Sequence, residues 1–544
     1  GNVYDEKKDH QNDVDIITSE RSSGSILKPF LYCAALEEGL ITPKGILEDI
    51  PTYIRGYQPL NYSQEYGGMV PADQSLAMSL NVPAVRLLQQ YGILPFKEKL
   101  VKGGITTLHY SPDHYGLPLV LGGAEVTLWD VCGAYASMGR VLDHAIPYDY
   151  KYDNRDIHPP LIFQKKDRKA ERRNGGTGGS PCKRSTSSYS TPNWRNGGTD
   201  STFHTKHLSK HSGDDQTIVK SHPSESSGKN NSDVGATYAQ QKMADQPTVW
   251  SAAGIWQTFE AMSTLRRPDQ EGQWETFHSS RRIAWKTGTS FGFRDAWAVG
   301  ITPSYTIGVW VGNADGEGRP GVIGIHAAAP ILFDVLRMLE DDGSWWDVPY
   351  REMTPKLVCR ESGWLAGPLC TQSDTTFIIQ ADNVPGVCAF HTTCFTDANA
   401  SYRYNPDCIS SETSLTNYFV VPAEAETYYK RYNPSYETMP PLHPSCATDH
   451  LSRQDIAIIY PRSGSKIYVP FEWDHKKSKA VFSAVHRSDT ANVYWHLDKE
   501  YLGKTKEFHQ IEIDPKPGVH HLVLQDEWGS VVETRFEVLE GNDE

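Results

Sequence analysis

The sequence predicts a mixed helix-and-sheet chain that ends in an all-β module, and three observations carry that prediction. Phe30-Leu31-Tyr32-Cys33-Ala34-Ala35-Leu36 is apolar at helical spacing and is closed by Gly39. The β-branched and aromatic runs at 282–289, 294–301 and 305–311 read as paired strands, the last two joined through Thr302-Pro303-Ser304. From about residue 455 the chain changes to short alternating runs separated by Gly, Pro and Asp, the texture of a small β-sandwich.

In chain order, the first helix is expected to begin near Ser25, because Pro29 is tolerated only in a first turn. Lys28 then projects on the same face as Ser25, one turn on. A second helix opens at Thr127-Leu128-Trp129-Asp130 with a capping-box-like start, read as structural. Behind the paired strands, Ile331, Leu332, Val335, Leu336 and Leu339 form one helical stripe. In the terminal module, Trp495 and Trp528 are read as core. The expected division is 1–163 and 248–345 for one domain in two parts, 164–247 for a low-complexity disordered insertion, 346–450 for an irregular Cys-rich connector, and 451–544 for the β-sandwich.

Three short motifs supply chemistry: Ser25-Ile26-Leu27-Lys28, Ser79-Leu80-Asn81 and Lys286-Thr287-Gly288-Thr289. A serine hydroxyl is a poor nucleophile until a base takes its proton. Lysine ordinarily titrates near ~10.4, but burial and a second cation both disfavour the ammonium form. Lys28 near Lys286 therefore suits a neutral base, with Ser79 relaying a proton toward a leaving amine. Asn81 suits a backbone-like amide of a substrate, and Thr287 and Thr289 suit a carboxylate attracted by Lys286. The N–H groups of Ser25 and Thr289 suit an oxyanion hole. The Ser-x-x-Lys spacing alone is weak, since it recurs at Ser180-Lys183, Ser226-Lys229 and Ser463-Lys466. The first two fall in the Gly/Ser-rich tract and the third in a Ser-Gly turn.

Arg21-Ser22-Ser23-Gly24-Ser25-Ile26-Leu27-Lys28-Pro29-Phe30, Ser79-Leu80-Asn81-Val82-Pro83-Ala84-Val85 and Lys286-Thr287-Gly288-Thr289-Ser290 resemble the transpeptidase domain of class A penicillin-binding proteins. Leu121-Gly122-Gly123-Ala124-Glu125-Val126-Thr127 and Gly312-Asn313-Ala314-Asp315-Gly316 are similar too, and the terminal β module resembles the 1C type. The resemblance implies an α/β (α+β) penicillin-binding/serine β-lactamase-like fold, a central antiparallel sheet with helices on both faces. It implies a D,D-transpeptidase that cross-links peptidoglycan stem peptides ending in D-Ala-D-Ala and is acylated by β-lactam antibiotics. Ser25 is then the nucleophile, Lys28 the base and Ser79 the relay, while Asn81, Lys286, Thr287, Gly288 and Thr289 bind substrate. No cofactor and no metal are implied. The setting implied is the periplasm, at the outer face of the inner membrane, with cell-wall synthesis proteins as partners of the β module.

Two departures shape the expectation. Nothing in the sequence matches the family's membrane helix or glycosyltransferase domain, and the strands that precede the Ser-x-x-Lys helix are expected to be missing. The strand at 305–311 is then expected to present an unpaired edge. Two alternatives stand beside the transpeptidase: a serine β-lactamase or β-lactam sensor, and an inert scaffold recruiting wall-synthesis partners. A formal net charge of −14 excludes a general nucleic-acid binder, the basic run at 165–173 notwithstanding. No apolar run approaches the ~20 residues that span a bilayer. Cys33 and Cys132 are read as core thiols, and Cys182 falls in the insertion. Cys359, Cys370, Cys388, Cys394, Cys408 and Cys446 are expected to pair as up to three disulfides, in preference to a metal site at Cys388-x-x-His391-x-x-Cys394.

Overall fold

A computed structural model describes residues 15–54, 57–161, 208–210, 248–265, 281–409, 412–446, 455–469, 479–488 and 490–539. Ser180-Lys183, Ser226-Lys229, Cys182 and the basic run at 165–173 lie outside the described residues. The chain opens with β1 (Arg21–Ser22) and α1 (Lys28–Glu37), followed by β2 (Ile46–Asp49), β3 (Gly68–Pro71), α2 (Ala72–Ala77), α3 (Asn81–Tyr91) and α4 (Ile93–Lys102). Then come β4 (Glu125–Val126), α5 (Leu128–Ala145), β5 (Leu208–Lys210) and α6 (Ala252–Ser263). The strands β6 (Ala284–Thr289), β7 (Asp295–Ile301) and β8 (Tyr305–Gly312) form the predicted meander, backed by α7 (Ala329–Met338).

The central sheet is antiparallel in the order β5-β8-β7-β6. Alternation sends its side chains to two different cores. Ala284, Trp297, Val299 and Ile301 join the larger core with residues of α1, α5 and α6. Ile283, Trp285, Ala296 and Ala298 face the other way, onto Leu332, Phe333 and Leu336 of α7. Helices on both faces are therefore present as predicted. From Lys28 to Leu36 every residue of α1 is buried, because the helix runs through the middle of the larger core. Cys33 and Cys132 are core thiols, and Thr127 Oγ1 caps α5 by accepting from the Asp130 N–H at 3.0 Å.

Three expectations are corrected here. The first helix begins at Lys28 and not near Ser25. Pro29 has no N–H to give the Ser25 carbonyl, which instead accepts from the Lys28 N–H at 3.3 Å, so Ser25 stands in a tight turn ahead of the helix. The edge of β8 is not bare, because β5 pairs with it: Leu208 opposite Ile307, Ser209 opposite Thr306, Lys210 opposite Tyr305. Backbone groups on an open edge favour a partner strand, and here three residues of the predicted disordered insertion supply one. The connector is also more regular than expected. It contains the hairpin β9 (Met353–Cys359) with β10 (Ser373–Ile379), a sheet of β11 (His391–Thr396), β12 (Arg403–Tyr404) and β13 (Ser414–Phe419), and the helix α8 (Ala423–Tyr432). These strands are largely polar and half-exposed, so they lack the apolar alternation by which strands are read from sequence.

Cysteine pairing differs as well. Cys408 and Cys446 form a disulfide, with Cα atoms 5.6 Å apart. Cys359, Cys370, Cys388 and Cys394 are free thiols. The tail is a β-sandwich of a three-stranded sheet against a five-stranded one, closed around Phe482, Trp495, Leu522 and Phe536. Trp495 is core as expected, whereas Trp528 is 45% exposed. It sits in the turn after the strand Gly518–Asp526, with its ring tilted against His486 at a centroid distance of 5.6 Å. Among the described residues, no helix is long and apolar enough to cross a membrane.

Packing of α5 on the sheet is tightest at Gly308 in β8, where an added Cβ would lie 2.2 Å from Cys132 Sγ and 2.9 Å from Leu128 Cδ1. Gly308→Ala is expected to lower stability by about 1–3 kcal/mol through overpacking. Urea denaturation with an unchanged midpoint would show that this helix does not press on the sheet.

Candidate active site

The turn carrying Ser25 is held from three sides. Ser22 Oγ donates to the Gly122 carbonyl at 2.7 Å, and the Ser23 N–H donates to Ala124 O at 2.9 Å, extending the pairing of β1 with β4. Trp297 Nε1 of β7 donates to Ser22 O at 2.8 Å. Strand β6 closes the third side at glycine-width distance. A Cβ on Gly24 would lie 2.7 Å from Thr289 N, and one on Gly288 would lie 3.3 Å from Ser25 N. Gly24 also has φ +50°, which other residues adopt only at a cost. Backbone-to-backbone approach of this kind is what brings the third motif against the first.

Ser79 is placed by the end of α2. The Leu80 N–H donates to Ser75 O at 3.0 Å and the Ser79 N–H to Leu76 O at 3.1 Å, a Schellman closure. That motif puts its next-to-last residue in the left-handed region, and Ser79 has φ +59°. Glycine normally fills this position, so a serine there is held under backbone strain. The reversal turns the Ser79 and Leu80 carbonyls inward, and α3 restarts at Asn81.

Both lysines converge on this joint. Lys28 Nζ lies within hydrogen-bond distance of Ser79 O (2.6 Å), Leu80 O (3.0 Å) and Asn81 Oδ1 (2.7 Å), and 3.4 Å from Ser79 Oγ, so the ammonium form can donate to three acceptors and the neutral amine to two of them at a time. Lys286 Nζ donates to Ser79 Oγ at 2.7 Å and to Thr287 O at 2.9 Å. The side chains are almost wholly enclosed, with Lys28 3% and Lys286 1% exposed. Burial holds Lys28 well below the usual lysine range, and the nearby Lys286 charge lowers it further. Burial alone brings Lys286 to about 7. Two enclosed amines near one hydroxyl, both held below the usual lysine range, are arranged for proton transfer.

Of the remaining predicted residues, Asn81 is engaged at both ends: its Oδ1 accepts from Lys28, and its Nδ2 donates to Leu60 O at 2.7 Å. It holds Lys28 against the start of α3. The Ser290 N–H donates to Asp295 O at 2.9 Å, which fixes the phase of β6. By alternation the Thr289 N–H points away from β7, toward Gly24 and Ser25. Thr289 Oγ1 accepts from the Gly324 N–H at 3.0 Å, which leaves its own proton to donate. Thr287 lies on the same face of β6 as Thr289.

Asn61 was not singled out by sequence. Its Oδ1 accepts from the N–H groups of Asn81 (2.9 Å) and Val82 (3.2 Å), capping the start of α3. Its Nδ2 donates to Asp49 Oδ1 at 2.7 Å. Arg21, at the other rim, donates to Ala314 O at 2.6 Å and stacks over Trp310. An asparagine twenty residues before the helix it caps leaves no local signal.

Comparison with known proteins bears on this geometry. Residues 2–142 match the family described as the penicillin binding protein transpeptidase domain, and residues 447–536 match the Penicillin-Binding Protein C-terminus Family. The Ser25 turn, Lys28 and Ser79 all lie within the region that is similar to that transpeptidase family. The chain is similar to penicillin-binding protein 1C of Escherichia coli strain K12, at 24% identity over 96% of this chain and 57% of that protein. Penicillin-binding protein 1F of Bacillus subtilis strain 168 is 34% identical over 22% of this chain and 16% of its own length. The chain thus spans little more than half of the first relative. A crystal structure of penicillin-binding protein 1A from Haemophilus influenzae aligns with 21% identity and a TM-score of 0.42, over 69% of this chain and 50% of that one. The two matched regions, in this order, agree with a 1C-type penicillin-binding protein. The family match ends at residue 142, and β6 reaches the Ser25 turn through the packing described above.

Burial of Lys286 has a signed consequence for stability. Its folded value of about 7 lies below the ~10.4 of an unfolded lysine, so the unfolded chain binds more protons between those limits. The stability it contributes is fully present above ~10.4 and is lost as pH falls to about 7. Lys286→Met is expected to be most favoured over the parent near pH 7, with the difference closing as pH rises toward ~10. A pH-independent difference in denaturation midpoint would show that Lys286 keeps an ordinary amine.

Proposed function

We propose that the transpeptidase domain is a serine-type D,D-transpeptidase that cross-links peptidoglycan stem peptides and is acylated by β-lactams. The observation that carries this reading is the pair of buried lysines meeting at Ser79 beside the Ser25 turn. In this reading Lys28, neutral through burial, takes the Ser25 hydroxyl proton as Oγ attacks the carbonyl carbon of the penultimate D-alanine. The tetrahedral oxyanion is received by the N–H groups of Ser25 and Thr289, where one donor is worth about 2.7–4 kcal/mol. Ser79 passes the proton to the departing D-alanine nitrogen, and the C–N bond breaks to leave a Ser25 ester. An amine of a second stem peptide then attacks the ester, its proton returns through Lys28 and Ser79, and the serine is restored as the cross-link forms.

In this account Lys286, on one face of β6, and Thr287 and Thr289, on the other, border the terminal carboxylate along the strand's open edge, and Gly288 lets the Ser25 turn approach that edge. A β-lactam follows the same first half, but its opened ring stays tethered and blocks the second amine. Asn81 acts chiefly by holding Lys28. The reading sets the domain in the extracytoplasmic space, where its substrate is. It also assigns residues 1–163 and 248–345 to this domain and 451–544 to the separate β module.

Labelling with fluorescent penicillin tests the proposal. The parent chain is expected to form a covalent adduct that Ser25→Ala abolishes, and Lys28→Ala is expected to slow acylation by at least ~10²-fold. Acylation should also fall toward acid pH as Lys28 becomes charged, with the decline lying below the ordinary lysine range because burial and the nearby Lys286 disfavour the ammonium form. An adduct that survives Ser25→Ala overturns the proposal.

A further inference from the structure

We infer that the connector holds a structural zinc ion in a Cys3His site made by Cys359, Cys370, Cys388 and His391. The three sulfur atoms and one imidazole nitrogen lie within 4.8 Å of one another. Zinc with Zn–S bonds of ~2.3 Å sets tetrahedral ligand atoms ~3.8 Å apart, so this cluster needs little contraction to close on the ion. Cys359 Sγ is already 3.3 Å from His391 Nε2. Three thiolates and an imidazole are a donor set that selects zinc over the oxygen-seeking cations. Four protein ligands leave no open coordination position, which marks a structural site and not a catalytic one.

The backbone is arranged for it. Cys359 ends β9, and the chain folds back so that the Cys359 N–H donates to Trp364 O (2.7 Å) and the Gly363 N–H donates to Cys359 O (2.8 Å). The Gly367 N–H donates to Cys370 Sγ at 3.2 Å, which fixes the sulfur beside the loop. The Cys388 N–H donates to Leu365 O at 2.7 Å, tying the third ligand to the same loop. His391 is the first residue of β11 and is buried. Loading the ion sends three thiol protons to solvent. It also displaces Glu361, whose Oε2 lies 3.1 Å from the same His391 nitrogen and whose side chain is half-exposed.

Disulfide formation does not account for the cluster. Three thiols are an odd number, and any pairing leaves one thiol beside the histidine. The competing sequence reading, Cys388-x-x-His391-x-x-Cys394, fails on geometry. His391 and Cys394 are three residues apart on one strand, so their side chains point to opposite faces. Cys394 accordingly stands outside the cluster.

The ion would fasten a seam. The loop it closes carries Ser362, Gly363 and Trp364, which bond the segment following α1: Ile46 N–H to Ser362 O (2.9 Å), Thr42 Oγ1 to Gly363 O (2.5 Å) and Trp364 Nε1 to Ile46 O (3.2 Å). The connector is thereby clamped to the transpeptidase domain near the helix that bears Lys28.

The test uses the full chain, purified without chelators from zinc-supplemented culture. Elemental analysis is expected to give about one zinc per chain. Cys359→Ser and Cys388→Ser should lose most of it, while Cys394→Ser keeps it. Should those variants not fold, cobalt exchanged into the parent chain provides a second readout, with sulfur-to-cobalt charge-transfer and tetrahedral d–d absorption expected. A metal-free chain in which mass mapping finds two of Cys359, Cys370 and Cys388 disulfide-bonded overturns the inference. So does zinc content that none of the ligand substitutions changes.

Discussion

A single hydroxyl with two enclosed amines around it is the constraint on which the rest of the transpeptidase region depends. Lys28 comes from α1, Lys286 from β6 and Ser79 from the joint between α2 and α3. Each amine alone would be costly to bury with its charge intact. Their burial is tolerable because it shifts both amines toward the neutral form and because carbonyls of Ser79, Leu80 and Thr287 accept from them. The strained backbone of Ser79 is the price of aiming those carbonyls inward. Glycine at 24 and 288 serves the same end, since only hydrogen fits between β6 and the Ser25 turn. The sheet and its two cores hold these three elements in register, which is why the site tolerates a long intervening segment between α5 and α6.

Much of this was legible in the sequence, for reasons that differ by element. The meander β6–β7–β8 was readable because its strands are β-branched, aromatic and buried on both faces. The three motifs were readable because their spacing reflects local geometry: Ser25 and Lys28 share a turn, and Ser79 and Asn81 flank a helix joint. Other features depend on tertiary placement and leave no periodic trace. Asn61 reaches α3 from a loop twenty residues earlier, and β5 finds β8 from within a segment of polar, low-complexity composition. The start of α1 was misjudged by three residues because a proline removes the N–H that the Ser25 carbonyl would otherwise use.

The cysteines show how compartment reasoning misleads when applied to a whole set at once. Six thiols in a chain read as extracytoplasmic suggest up to three bridges, yet one pair bonds and three of the other four gather around a histidine. Strand alternation separates the two cases: Cys394 is near His391 in sequence but on the other face of β11. Both devices act on the same problem, a polar connector with little apolar core of its own, which covalent or metal links fix where burial is insufficient.

Direct measurement of lysine protonation probes the central interaction most sharply. In a chain carrying 15Nζ-labelled lysine, one resonance is expected to titrate at about 7 and a second well below the ~10.4 of an ordinary lysine. Those two should be the ones that Lys28→Met and Lys286→Met remove. A titration in which every lysine nitrogen changes near ~10.4 would contradict the account, because neither amine would then be free to take a proton from serine at neutral pH.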